Sequence, residues 1–132
     1  MRSRERGGAR RWTTTTQASQ ARAQRLAAER ATREELYGRF LDAIARLYAH
    51  VVAEEKVDYA KLVEIFALKG RISLRASEPV KTSADRSIKF LVDLYMAPDR
   101  SVGDVRAMMD DSAADPLTQF AERCREELER LR

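Results

Sequence analysis

Between residues 37 and 51, seven large apolar side chains recur at spacings of three and four: Tyr37, Phe40, Leu41, Ile44, Leu47, Tyr48 and Val51. At 3.6 residues per turn these positions stack on one face, so the segment is an amphipathic helix whose stripe has to be buried. A chain of 132 residues can build one core around it. With only 5 Gly and 3 Pro, and with Ala, Leu, Arg and Glu abundant, the partners are further helices joined by few turns. The expected fold class is all-α: an antiparallel bundle of about four helices plus one short helix, with a long first helix and a disordered N-terminal arm.

Residues 1–16 hold Arg, Gly, Ser and a run of threonines with no apolar period, and are expected to be a disordered basic arm. Residues 17–132 make a single helical-bundle domain, with its packed core from about residue 32. Between 17 and 35 good helix formers dominate, but Leu26 is the only large apolar side chain, so a solvated lead-in that frays is expected. Thr32 with Glu35 has capping-box spacing, although the first helix can also run unbroken from the lead-in to about Ala53.

Further along, Asp58 is placed to cap a second helix carrying Tyr59, Leu62, Val63, Ile65, Phe66 and Ile72. Past Gly70, the alternation of Ile72, Leu74 and Ala76 with polar residues sets a short extended segment against continued helix, and helix is favoured. Ser77-Glu78-Pro79 opens a third helix to about Ala97, with Val80, Ala84, Ile88, Leu91, Val92 and Tyr95 inward. Pro98 stops it, and a short amphipathic piece from Ser101 to Met109 follows. Asp115-Pro116 repeats the cap-plus-proline device and opens the last helix, whose stripe is Leu117, Phe120, Ala121, Cys124, Leu128 and Leu131. So few large apolar residues offset the ordering of about a hundred others only narrowly, which predicts marginal stability or a partner that completes the burial.

The chemical inventory is short. One His and one Cys cannot make a zinc site, and the di-metal motif of helical bundles needs paired Glu-x-x-His segments that the sequence lacks. Glu55, Glu64 and Glu78 fall on polar helix faces. Asp110, Asp111 and Asp115 lack the alternation and central Gly of a calcium loop and read as a helix-breaking, capping segment. His50 flanks the first stripe, Cys124 reads as a small core hydrophobe, and the scattered glycines make no phosphate loop. Tyr37, Phe40, Tyr48, Tyr59 and Phe66 are expected to pack the core together. No catalytic, cofactor-binding or metal-ligating residues are assigned, and no small-molecule substrate is expected.

Charge is uneven. Residues 1–33 carry nine arginines against Glu5 and Glu29, a balance of +7, while the remainder is −3, which together give the chain's +4. The arm, through Arg2, Arg4, Arg6, Arg10, Arg11 and Trp12, is the candidate electrostatic binding element, with nucleic acid or an anionic membrane surface as its ligand. A helix-turn-helix around Gly70 is disfavoured because Pro79 falls where a recognition helix should continue. The single cysteine and the lack of an apolar leader point to a reducing cytoplasm, with the inner face of the membrane as an alternative setting for the arm.

Three stretches, from Leu36 to Ala43, Leu74 to Val80 and Asp115 to Phe120, resemble a group of uncharacterised small bacterial proteins. In that group a helical cytoplasmic module often follows an N-terminal membrane anchor, with a Trp and an Arg-rich stretch just after the span. The resemblance extends from about Trp12 to Arg132 and rests on helix caps and core positions; this sequence lacks the anchor. It implies an arm that substitutes for the anchor or an apolar segment encoded upstream, and it carries no catalytic residues over. A non-catalytic interaction or structural module, whose partner is another protein or a second copy of the chain, is the function expected from all of these features.

Overall fold

A computed structural model describes residues 2–53, 56, 58–96, 107 and 115–131, and the side chains among them from residue 14 on except that of residue 52. Four α-helices account for nearly all of it: α1 (Arg2–Val52), α2 (Tyr59–Arg75), α3 (Glu78–Met96) and α4 (Pro116–Arg130). No strand occurs among the described residues, as expected for an all-α bundle. The short amphipathic piece after Pro98 lies outside the described residues.

The bundle is antiparallel between chain neighbours. Residues at the end of α1 and the start of α2 meet (His50 with Lys61), as do the middle of α1 and the end of α2 (Glu29 with Arg75). Only Ala76 and Ser77 separate α2 from α3, and Ser87 of α3 meets the start of α4 at Pro116. α1 and α3 each pack on all three other helices, which leaves α2 and α4 on opposite flanks of the α1–α3 pair.

The stripe that begins at Tyr37 is the centre of the core. Phe40, Ile44 and Leu47 are wholly buried and meet Ile65 and Ile72 of α2, Val80 and Leu91 of α3, and Phe120 of α4 in one cluster. The Phe120 ring lies 4.9 Å from that of Phe40, tilted, and 6.2 Å from that of Tyr37, edge-on. Such pairs add about 0.5–1.5 kcal/mol each to plain burial. The caps read from the sequence hold at two starts: the Asp58 carboxylate accepts from the Lys61 N–H at 3.2 Å, and Asp115 from the Leu117 N–H at 3.0 Å with Pro116 leading α4. Small residues govern the approach of α3 to α4. Ser83, Ala84 and Ser87 are buried, and the Ser87 hydroxyl is 3.0 Å from the Ser83 carbonyl and 3.3 Å from that of Pro116.

Two expectations change. Thr32 and Glu35 do not cap a helix start, because α1 runs through them and the Thr32 hydroxyl donates to the Ala28 carbonyl one turn back at 3.0 Å. α1 is helical from Arg2. Every described side chain from 14 to 28 is exposed, so backbone hydrogen bonds and helix propensity, and not a buried stripe, support this stretch. Tyr59 and Phe66, expected in the core, lie outside it, at 74% and 47% exposure. The register of α2 turns Ile65, Leu68 and Ile72 inward instead.

Candidate functional site

α2 is apolar on two faces. Ile65, Leu68 and Ile72 are buried against α1 and α3, while Tyr59, Val63, Phe66 and Leu74 are 74%, 66%, 47% and 84% exposed. At 100° per residue, Tyr59, Val63, Phe66, Gly70 and Leu74 fall within an arc of about 80°. That arc is centred opposite the buried trio, on the outer flank of the bundle. A Cβ added at Gly70 would meet nothing within 4 Å, so the stripe has a shallow gap at that turn. Continuous apolar surface of this kind is uncommon on a monomer. The sequence signal was the breadth of apolar positions on α2, too wide for a helix with one buried face.

Opposite it, α4 carries a buried carboxylate. Glu127 is 5% exposed and stands seven residues after Phe120, in register with the apolar stripe. Its oxygens accept from the Tyr37 hydroxyl of α1 and from the Ser77 N–H at the head of α3, the latter at 2.5 Å. The Arg33 guanidinium stands 3.5 Å away, and Arg33 in turn holds Glu29 at 2.8 Å, to which Arg75 adds a contact at 3.0 Å. One carboxylate thus ties α1, α3 and α4 and supplies the negative charge that the N-terminus of α3 favours. Burial pushes the Glu127 carboxyl up, but the hydrogen bonds from Tyr37 and Ser77 and the charge of Arg33 outweigh it, and it lies below the ordinary carboxyl value. Burial and the neighbouring carboxylate drive the Tyr37 hydroxyl far up. A polar position inside a stripe was visible in the sequence; its partners, 50 and 90 residues away, were not.

A groove of about 610 Å³ runs between α1 and α4, with Tyr37, Gly38 and Cys124 at its floor and Arg30, Arg125 and Glu129 at its rim. Burial, then the Glu127 charge, raises the Cys124 thiol to about 12, so at neutral pH it is protonated and a poor nucleophile. His50 is half-buried at the end of α1, where its Nε2 accepts from the Lys61 ammonium. Among the described residues no group of His, Cys, Asp or Glu is arranged to hold a metal ion. Nor, among the described residues, is any helix long and apolar enough to cross a membrane.

Comparison with protein-family models, curated proteins and solved structures returns no match. Geometry and charge alone therefore carry the functional reading.

The electrostatic candidates Arg2, Arg4, Arg6, Arg10, Arg11 and Trp12 occupy the first turns of α1. At 1.5 Å per residue Arg2 is about 40 Å along the helix from Glu29, where packing begins. Gly70, weighed as a turn, lies inside α2, which runs without a break from Tyr59 to Arg75.

Proposed function

We propose that this chain is a non-catalytic helical interaction module, working in a reducing, cytoplasmic setting, that docks an amphipathic helix of a protein partner along the outer face of α2. The line of Tyr59, Val63, Phe66 and Leu74 in solvent, opposite a fully packed face of the same helix, carries this reading. Among the described residues the core cluster does not include these four side chains, so it does not account for them. A photoreactive phenylalanine analogue replacing Phe66 is expected to give a protein adduct on illumination in cells. The same analogue at exposed Arg46 on α1 serves as the control. Equal yields at both positions, or none at Phe66, refute the reading.

A second reading rests on the first half of α1. Its described side chains are all in solvent, and the charge of residues 1–33 is +7 by count, so it can lie along polyanions, nucleic acid or an anionic membrane surface. Removal of residues 1–12 is then expected to abolish salt-sensitive binding to DNA, RNA or acidic vesicles. Unchanged binding removes this reading and leaves the first intact.

A further inference from the structure

We infer that the helix docked on α2 is α2 of a second copy, antiparallel to the first about a twofold axis near Leu68; this rests on the docking face proposed above. The exposed stripe is complementary to itself in that direction and not in the other. With the axis at Leu68, Leu74 of one copy comes opposite the gap bounded by Tyr59, Leu62, Val63 and Phe66 of the other, a four-residue hole of the kind helices use to seat a knob. Phe66 comes opposite Gly70, where no Cβ stands in the way of a ring and an added Cβ would meet nothing within 4 Å, with the small Ala67 beside it. A parallel pair would set Phe66 on Phe66 and Gly70 on Gly70, leaving a clash in one layer and a void in the next.

Charges select the same direction. Among the described residues, Lys69 pairs with Asp85 at 2.6 Å and Arg75 with Glu29 at 3.0 Å, while Glu64 and Arg71 of α2 are exposed and in no ion pair. They lie seven residues apart on the same flank of the stripe. An antiparallel twofold brings like flanks together, so Glu64 of each copy faces Arg71 of the other, twice over. The four exposed apolar side chains present on the order of 500 Å² per copy, taking about 150–250 Å² for a whole aromatic side chain and less for an aliphatic one. The total of about 1,000 Å² is at the lower limit for a specific interface, which fits a reversible dimer of roughly micromolar affinity.

Sedimentation of the full chain over a hundredfold concentration range is expected to show a monomer–dimer equilibrium. Gly70→Leu fills the hole that receives Phe66 and is expected to weaken the dimer at least tenfold while raising the melting temperature of the monomer, because a helix-favouring residue then occupies open space. Glu64→Arg and Arg71→Glu are each expected to weaken self-association about tenfold by setting like charges opposed at both ends. An equimolar mixture of those two variants is expected to recover wild-type affinity, since each supplies the charge the other lacks. A monomer at every concentration, or a mixture no tighter than its components, overturns the proposal. If the Phe66 crosslinker then yields an adduct of a mass other than twice the chain, the docking face stands and only its occupant was wrong. If it yields none, both fall.

Discussion

Replacing Glu127 by Ala should damage the domain more than any other single change of a charged residue. The carboxylate is 5% exposed, and its loss strands the Tyr37 hydroxyl and the Ser77 N–H without an acceptor and takes from Arg33 one of its two carboxylate neighbours, leaving Glu29. Each hydrogen bond to a charged group contributes about 1.5–3 kcal/mol, and breaking a buried charged centre on one side costs about 3–5 kcal/mol. Against a total of about 5–15 kcal/mol for a domain, Glu127→Ala should leave little net stability. Glu127→Gln is the control, because one amide oxygen can still accept from Ser77 and the amide N–H can donate to the Tyr37 oxygen. It loses the charge alone, at about 1 kcal/mol. Urea unfolding followed by helical circular dichroism reads both as shifts in midpoint at constant slope. A cycle with Tyr37→Phe should return a coupling of about 1.5–3 kcal/mol. The pH arm follows from the lowered Glu127 carboxyl: the folded chain holds that proton less tightly than the unfolded one. Its stabilisation is therefore complete above the unfolded carboxyl range and is lost as pH falls through the folded value. Glu127→Gln should flatten part of the acid limb, and Glu29, lowered chiefly by its hydrogen bond from Arg33, should retain the rest. An alanine variant within about 1 kcal/mol of wild type, or an additive cycle, would refute the carboxylate as the tie between helices.

Phe120→Ala removes a wholly buried ring that touches both Phe40 and Tyr37 and should cost about 3–5 kcal/mol, read as a drop in melting temperature of about 4–8 °C per kcal/mol. Leu74→Glu, at a position 84% exposed, should stay within about 0.5 kcal/mol of wild type in the monomer; a larger loss would place Leu74 in the core. Amide exchange should be fast from residue 2 to about 28 and slow from Tyr37 to Tyr48, because only the latter stretch is packed; protection across the whole of α1 would show that its first half has a partner. The Cys124 thiol, raised to about 12 by burial, should react with aromatic disulfides at neutral pH only as fast as the domain opens, and rapid labelling of the native chain would contradict its place in the core.

Helix class, number and most boundaries were legible in the order of residues, because periodicity and caps are local. Asp58 and Asp115 accept from amides two or three positions ahead, and the spacing from Tyr37 to Val51 is the geometry of one helix with itself. Thr32 was misread for the opposite reason. A capping residue differs from a mid-helix threonine only in whether a helix precedes it, and here the preceding residues continue α1.

Periodicity shows that a face is apolar and is silent on what covers it. α2 has apolar residues around most of its circumference, and the sequence alone ranked Phe66 with Phe40 as core. Packing against both α1 and α3 uses the side of Ile65, Leu68 and Ile72 and leaves Tyr59, Val63 and Phe66 in water. Likewise Glu127 is an ordinary glutamate of a helical sequence until chain folding brings Tyr37, Ser77 and Arg33 around it. The local code set which residues are helical; which oily face meets a neighbour, and which charge is desolvated, were decided by where α1 and α3 lie, since burial belongs to the assembly of helices and to no single one of them.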